Sequence, residues 1–226
     1  MTESCSKLAS PRIAIVVGEQ SGDNLGAALI SSLREHFPDA QFFGIAGPRM
    51  TAAGCEAWLS SDELAVMGLF EVIPHLWRLL RLRRRLINRL LADPPDVYIG
   101  IDAKEFNLSV ARRLKRAGIR TVQYVSPQVW AWRQGRIKKI AHAVDLMLCL
   151  LPFEPKFYQQ HHVHARFVGH PLADQIPMQT DRAAARQAGG ELRAVEKFLG
   201  KAAHGRCRRV GDRGDGHTGA RRHAPG

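Results

Sequence analysis

The sequence predicts an α/β fold, a doubly wound and parallel Rossmann-like sheet. Short, continuously apolar segments alternate along the chain with amphipathic helical segments, an order typical of βαβ units joined by right-handed crossovers. The apolar segments end in glycine, proline or a polar residue, as expected for strands that are covered on both faces. Ligands of such folds gather at the carboxyl ends of the strands, so residues there are the first candidates for a site.

The pattern assigns the elements in order. Strands are predicted over residues 12–18, 41–47, 97–102, 121–126, 146–152 and 165–171. Helices are predicted over residues 25–37, 50–58, 67–91, 108–118 and 133–144, with the long helix interrupted near Pro74. The first helix shows fourfold spacing of Leu25, Leu29, Leu33 and Phe37.

Composition narrows the class of protein. The 226 residues carry 33 Lys and Arg against 21 Asp and Glu, a net charge of +12, which favours phospholipid surfaces, nucleic acid or phosphorylated substrates as partners. The four cysteines lack the paired spacing of a zinc or redox site, which indicates a reduced cytosolic setting. Neither a signal peptide nor a run of about 18 apolar residues is apparent, so membrane contact is expected to be peripheral.

Three regions are predicted: a disordered N-terminus over residues 1–11, a Rossmann-like domain over 12–178 and a basic tail over 179–226. Residues 186–226 hold ten Lys and Arg, four acids and nine glycines, a composition that does not easily bury a core. The tail either binds nucleic acid or does not belong to the fold. The second interpretation is favoured because the tail is rich in Arg, Gly, Ala, His and Pro, the composition expected when GC-rich DNA is translated out of frame.

The segment VVGEQSGDNLG joins the first predicted strand to the first helix. Gly18 and Gly22 permit a tight turn with positive φ, and Ser21 or Asp23 is positioned to cap a helix whose N-terminal amides favour an anion. The spacing is neither G-x-G-x-x-G nor that of a P-loop, which argues against a NAD-type oxidoreductase or an ATP site. A plain strand-to-helix turn stays an equal alternative.

Asp102 ends a predicted parallel strand in GIDAKEFN. A carboxylate at this place is costly unless it is solvated, paired or used, and it suits a general base acting on a sugar hydroxyl. The alternative is a helix cap, a role that Glu105 and Asn107 fill equally well.

The loop YVSPQVWAWRQ follows another predicted strand. Ser126 opens it, and Trp130 and Trp132 flank a single alanine. Two indoles at a strand end are suited to stacking on a sugar or lining an acyl cleft, but paired aromatics also pack a loop down. No metal is predicted, because the spacing of His161, His162 and His164 lacks a carboxylate partner.

An arginine-rich stretch, GLFEVIPHLWRLLRLRRRLINRLL, has no acid between Glu71 and Asp93. One predicted helix face is basic, with Arg78, Arg81, Arg85 and Arg89. The other side is apolar, with Leu69, Val72, Ile73, Leu76, Leu80, Ile87 and Leu91, and Phe70 and Trp77 add interfacial aromatics. This pattern is typical of a helix in a membrane interface, and it also attracts anionic headgroups. A core-packed helix with solvated arginines is the alternative.

Six motifs occur together and in order between residues 12 and 174: GEQSGDNLGAALI, FFGIAGPRM, ELAVMG, GIDAKEFN, YVSPQVWAWRQGR and LPFEPKFY. In combination they resemble the lipid-A-disaccharide synthase family. The resemblance implies a GT-B glycosyltransferase of two Rossmann-like halves, which moves diacylglucosamine from a UDP-sugar to the 6-hydroxyl of 2,3-diacylglucosamine 1-phosphate (lipid X). Inversion at the anomeric carbon needs a base for the acceptor and donors for the leaving diphosphate.

The resemblance assigns roles to numbered residues. Asp102 is the implied base. The implied substrate contacts are Gly18, Glu19, Ser21, Gly22, Asp23, Asn107, Ser126, Trp130 and Trp132. The implied membrane and acyl-chain contacts are Met67, Leu69, Phe70, Val72, Ile73, Leu76, Trp77, Arg78, Arg81, Arg85 and Arg89.

The implied partners are the UDP-sugar lipid donor, the lipid X acceptor and the anionic inner face of a Gram-negative inner membrane. No cofactor and no nucleic acid are expected, and the oligomeric state stays open. The sequence departs from the family twice. Lys104 and Glu105 stand where the family usually has Pro and Asp, and the second half, with its Pro-Gly-Ser-Arg loop and uridine site, does not appear. The chain alone is therefore predicted to be inactive.

Overall fold

The computed structural model describes residues 10–65, 72–132 and 134–170, with no side chain described at 65 and 72–76. The strands are β1 (Arg12–Val17), β2 (Gln41–Ala46), β3 (Cys55–Ser60), β4 (Val97–Ile101), β5 (Arg120–Tyr124), β6 (Leu146–Cys149) and β7 (Ala165–Phe167). The helices are α1 (Gln20–His36), α2 (Pro48–Ala52), α3 (Asp62–Ala65), α4 (Val72–Ala92), α5 (Lys104–Arg116), α6 (Ile137–Ala141) and α7 (Glu154–Gln159), with a 3-10 turn at Gln134–Arg136.

All strand pairings are parallel, and the seven strands have the order β3-β2-β1-β4-β5-β6-β7. Helices α1 and α2 pack on one face through residues such as Ile30 and Met50. Helices α4, α5 and α6 pack on the other face, where Leu90, Leu114 and Ile140 meet the sheet. The doubly wound, Rossmann-like prediction is confirmed.

The region of residues 50–58 differs from its prediction as one short helix. Helix α2 ends at Ala52, and β3 begins at Cys55 after Gly54, whose φ of 92° reverses the chain. Only Cys55 is buried in this edge strand. Because β3 lacks a continuously apolar run, the sequence pattern did not indicate a strand there.

Two helix boundaries also differ from the pattern. Helix α1 begins at Gln20, ahead of the apolar spacing that starts at Leu25, because its first turn is polar. Pro74 lies in the first turn of α4 and causes no interruption within Val72–Ala92, since a helix needs no backbone N–H at that position. Helix α7 was not predicted. None of the helices in the described ranges is long and apolar enough to span a bilayer.

Candidate functional site at the switch point of the sheet

The strand order reverses between β1 and β4, which are direct neighbours in the sheet. The chain leaves β1 toward β2 on one side and leaves β4 toward β5 on the other, and folds of this kind bind ligands in a crevice outside the strand ends at this point. Gly18 follows β1, and Asp102 follows β4. A Cβ atom built on Gly18 would lie 2.6 Å from the Cβ of Ala103, so the absence of a side chain at Gly18 lets the two loops touch.

Asp102 has an unusual backbone. It adopts φ 50° and Ala103 adopts φ 34°, left-handed values that an alanine rarely takes. The Asp102 side chain is 28% exposed, and its Oδ1 lies 3.8 Å from Lys104 Nζ. Helix α5 takes Ala103 as its N-cap and has no side-chain capping bond, so the capping alternative for Asp102 is wrong. The carboxylate is left partly exposed with a cation beside it.

Asn107 is buried below Asp102. Its Nδ2 donates to the carbonyl oxygens of Val16 and Ile101, each at 3.2 Å, and of Asp102 at 3.0 Å. Its Oδ1 accepts a 2.9 Å hydrogen bond from the Tyr98 hydroxyl, and burial raises the pKa of Tyr98 well above its ordinary value. The Asn107 side-chain amide is therefore hydrogen-bonded to the protein's own backbone and to Tyr98. It was expected to contact substrate instead.

The glycine loop differs from its prediction in two respects. Neither Gly18 nor Gly22 has a positive φ, and α1 takes Glu19 as its N-cap with no side-chain capping bond. Asp23 is 1% exposed and caps α2 instead, since its carboxylate accepts from the backbone N–H of Gly47, Arg49 and Met50 at 2.9–3.0 Å. Asp23 therefore fixes the helix after β2.

Two of the loop residues that were expected to contact substrate, Glu19 and Ser21, are exposed. They stand at the start of α1, where helix N-terminal amides and the macrodipole favour negative charge. Of the five residues expected to contact substrate in this loop, these two face solvent.

The loop after β5 is fastened by a carboxylate that sequence reasoning missed. Glu154, 2% exposed, accepts hydrogen bonds from the Ser126 hydroxyl, from Trp130 Nε1 at 3.2 Å and from the Leu151 backbone N–H at 3.1 Å. Trp130 also packs edge-on against Phe153, with ring centroids 4.9 Å apart. Ser126 and Trp130 are thus held within the protein.

Trp132 differs from Trp130, because 59% of it is exposed.

Sequence reasoning also missed Gln123, a buried residue of β5 whose Nε2 donates to the carbonyl oxygens of Asp102 and Tyr124 at 3.1 and 3.2 Å. A polar residue within an apolar strand was the available signal, because a buried amide is costly unless it is hydrogen-bonded.

Helix α4 carries the predicted basic face. Its exposed residues include Trp77, which is 67% exposed, and all four predicted arginines: Arg78, Arg81, Arg85 and Arg89. Arg78 lies 3.8 Å from Glu63, and the Arg89 guanidinium stacks 3.8 Å from the Trp58 ring centroid. Two members of this face therefore also contact the domain itself.

The buried stripe of α4 is only partly the predicted one. It consists of Leu82, Leu86, Ile87 and Leu90. Leu91 was expected on this side and is 43% exposed, because it lies on the flank of the arginine face. Met67, Leu69 and Phe70 lie outside the described residues, as do the side chains of Val72, Ile73 and Leu76.

The three clustered histidines form no metal site in the structure as far as it is described. His161 Nδ1 pairs with the Phe157 carbonyl at 2.9 Å, and no group of three or more potential ligand side chains occurs within residues 10–65, 72–132 and 134–170.

A strand-end carboxylate and a glycine loop at the switch point of a parallel sheet define a Rossmann-like domain with a candidate ligand site at that point. Residues 13–199 match the family model described as lipid-A-disaccharide synthetase. A lipid-A-disaccharide synthase of Xanthomonas campestris pv. campestris (strain 8004) is 54% identical over 209 residues, covering 92% of this chain and 48% of the relative. One of Xylella fastidiosa (strain M12) is 59% identical over 181 residues, covering 80% and 47%.

The chain belongs to the lipid-A-disaccharide synthetase family, a family of glycosyltransferases, and the resemblance of the six motifs is confirmed. It spans about half the length of the curated relatives it matches. Among solved structures, UDP-GlcNAc 2-epimerase from Neisseria meningitidis is similar at a TM-score of 0.49 and 8% identity, over 71% of this chain and 46% of the other. The domain boundary at residue 178 stays a prediction, because the described residues end at 170.

Proposed function

We propose that this domain is the acceptor-side half of a GT-B glycosyltransferase. The reaction transfers diacylglucosamine from its UDP carrier to the 6-hydroxyl of 2,3-diacylglucosamine 1-phosphate, with inversion and release of UDP. Family membership supports the reaction class. The single observation that carries the mechanism is Asp102, a partly exposed carboxylate held in a left-handed conformation at the switch point.

Asp102 is the general base of this proposal. As the acceptor oxygen attacks the anomeric carbon, its proton passes to the carboxylate, and the bond from that carbon to the diphosphate breaks. The developing charge on UDP needs donors, which in this proposal lie in the half of the curated relatives that this chain does not span. Lys104 Nζ, 3.8 Å from Asp102 Oδ1, places a cation near the acceptor, where the 1-phosphate is the complementary anion.

Other substrate contacts come from the exposed groups around the crevice. Glu19 and Ser21 lie at the start of α1, and Trp132 exposes an indole after β5. An indole suits stacking on a sugar face or contact with an acyl chain. Ser126 and Trp130 support that loop through Glu154, so their effect on substrate is indirect.

Helix α4 is the proposed membrane contact. Arg81 and Arg85 are exposed on one face together with Trp77, and each arginine near an anionic leaflet contributes about 1 kcal/mol. An indole at the headgroup level adds apolar contact. This orientation presents the domain to a bilayer that holds both lipid substrates.

The experiment that tests this function measures UDP release from both lipid substrates. The purified chain is expected to release none, because a GT-B enzyme binds its nucleotide mainly through the second half. A chimera that joins the matched part of this chain to the remaining half of the Xanthomonas campestris relative is expected to release UDP. Activity of the chain alone overturns the half-enzyme proposal, and an inactive chimera that binds both substrates overturns the assignment of this domain to the reaction.

A further inference from the structure

Two buried side-chain amides converge on one backbone oxygen, the carbonyl of Asp102. Asn107 Nδ2 lies 3.0 Å from this oxygen, and Gln123 Nε2 lies 3.1 Å from it. Asn107 belongs to α5 and Gln123 to β5, so the oxygen is held from two separate elements. Both residues are 0% exposed, and hydrogen bonds shielded from water are electrostatically stronger.

The same amides join the ends of three neighbouring strands. Asn107 Nδ2 also reaches the carbonyl of Val16 in β1, 3.2 Å away. Gln123 Nε2 also reaches the carbonyls of Tyr124 and Val125, at 3.2 and 3.4 Å. The carboxyl ends of β1, β4 and β5 are therefore connected through two side chains.

Gly100 of β4 makes the space that this arrangement needs. A Cβ atom at Gly100 would lie 2.7 Å from Asn107 Cβ and 3.0 Å from Gln123 Oε1. Any larger residue at Gly100 therefore displaces Asn107 and crowds Gln123, and the glycine is explained by the close approach of both amides.

The backbone held by these amides is strained. Asp102 has φ 50°, Ala103 has φ 34° and Val125 has φ 70°, a left-handed value that is an outlier for a β-branched residue. Such conformations persist only where surrounding contacts impose them, and they cluster at functional sites. The Asp102 and Val125 carbonyls are both acceptors of the Gln123 amide, so this amide contacts two of the three left-handed residues.

Gln123 also carries an energetic cost. Its Oε1 is buried with no hydrogen-bond partner in the described part of the chain, and an orphaned buried acceptor is destabilising. An apolar side chain of the same length would avoid this cost. We therefore explain the glutamine at this position by the hydrogen bonds that its Nε2 donates.

We propose that Asn107 and Gln123 are positioning residues for Asp102. Their hydrogen bonds to the Asp102 carbonyl oxygen stabilise the left-handed backbone of this residue. The backbone in turn fixes the direction of the Asp102 carboxylate. Neither residue touches substrate. The inference rests on the proposed role of Asp102 as the base, because without that role the arrangement positions a residue that does no chemistry.

The test uses isotope-labelled full chain and solution NMR, with the variant Gln123→Met. Three quantities are measured at Asp102: the three-bond coupling that reports φ, the exchange rate of its amide, which donates to Tyr124 O at 3.0 Å, and the titration curve of its 13Cγ shift. Gln41→Met is the matched control, because Gln41 is an exposed amide at the amino end of β2.

In Gln123→Met we expect altered coupling, at least about tenfold faster exchange at Asp102, and a changed 13Cγ titration curve, with Ile15 exchange unchanged. The 13Cγ curve reports the surroundings of the carboxylate, which a purely structural role of Gln123 would not move. The control should match the parent in all three quantities. A folded Gln123→Met with parental coupling, exchange and titration at Asp102 overturns the proposal.

If Gln123→Met does not fold, Gln123→Glu keeps the test decisive. The protonated carboxyl restores one donor at low pH, and the carboxylate has none. The parental Asp102 signature is then expected below the titration of the introduced group and lost above it, and a pH-independent signature overturns the proposal. Failure of the proposed function is separate: it appears as undiminished UDP release by the chimera carrying Asp102→Asn, whereas the NMR measurements need no turnover.

Discussion

Gly18 and Ala103 touch across the switch point of the sheet, and a Cβ atom added at Gly18 would lie 2.6 Å from the Ala103 Cβ. This contact joins the loop after β1 to the loop that carries Asp102. A glycine is needed at position 18 because the two loops approach each other closely there. Its backbone conformation does not require glycine, because its φ is not positive.

Gly18→Ala is therefore expected to destabilise the domain by about 1–3 kcal/mol, the usual cost of forcing an extra methyl group into a packed contact. Urea unfolding followed by far-UV circular dichroism measures this loss. Gly135→Ala is the control, because no atom lies within 4 Å of a Cβ at that position, and it should stay within about 0.5 kcal/mol of the parent. Equal stability of the two variants would contradict the close contact.

Ala103→Gly is expected to stabilise the domain. Alanine at φ 34° is strained, at a cost of about 1–2 kcal/mol in the left-handed region, and the larger entropy of an unfolded glycine offsets part of the relief. The expected net gain is about 0.5–1 kcal/mol by urea unfolding. Ala28→Gly, at an exposed position of α1, should show the opposite sign, a loss of about 1 kcal/mol. Destabilisation by Ala103→Gly would argue against strain at this residue.

The sheet was largely predictable from the sequence, and the roles of its polar side chains were less so. Apolar runs such as RIAIVV and LMLC indicate buried strands on their own, whereas β3 is an edge strand with one buried residue and gives no such signal. Periodicity likewise identified the arginine face of α4.

The sequence reasoning expected Asp102, Asp23 and Asn107 all to act on the substrate, Asp102 as the base and the other two as contacts. What separates the three is the direction of each side chain. Asp23 turns inward to backbone partners at least 24 residues away, and Asn107 turns inward to the Tyr98 hydroxyl and to backbone that includes the distant Val16, whereas Asp102 stays partly exposed. That direction depends on the packing of distant segments, which a linear pattern does not encode. Glu154 was missed for the same reason, because Ser126 and Trp130 come to it from another loop.

Glu154→Gln is expected to loosen the loop after β5. The carboxylate accepts from Ser126, Trp130 and Leu151, and an amide replaces one acceptor oxygen by a donor that faces other donors. The expected loss is about 1–3 kcal/mol, together with a changed near-UV circular dichroism signal from Trp130. Glu35→Gln, at an exposed position, should change neither quantity. Parental stability and spectrum in Glu154→Gln would show that the loop is held by other contacts.

The ion pair between Arg12 and Asp93 predicts a pH dependence of stability. The hydrogen bond from Arg12 lowers the pKa of Asp93 below its ordinary value of 3.8. A carboxyl whose folded pKa is depressed contributes stability that is present above the ordinary pKa and lost as pH falls through the folded pKa. The Tm difference between the parent and Asp93→Asn should therefore be present at pH 6 and shrink below about pH 4.

Asp39→Asn, at an exposed carboxyl, is the control for this titration and should follow the parent across the same pH range. A Tm difference between the parent and Asp93→Asn that does not change with pH would contradict the ion pair as its cause.

The double substitution Arg81→Ser and Arg85→Ser tests the membrane surface. At about 1 kcal/mol for each arginine, binding to phosphatidylglycerol vesicles at low salt should weaken by about thirtyfold, and the difference should decrease with added salt. Arg112→Ser with Arg113→Ser removes the same charge from exposed positions of α5 and should have a smaller effect. Equal losses from both pairs would show that net charge, and not the face of α4, attracts the lipid.

The most direct test of the central claim is UDP release by the chimera with and without Asp102→Asn. The substitution is expected to lower kcat by at least about 100-fold, the usual contribution of a general base, and to leave the affinity for 2,3-diacylglucosamine 1-phosphate unchanged. A variant that keeps its kcat within about threefold of the parent chimera would contradict the assignment of Asp102 as the base.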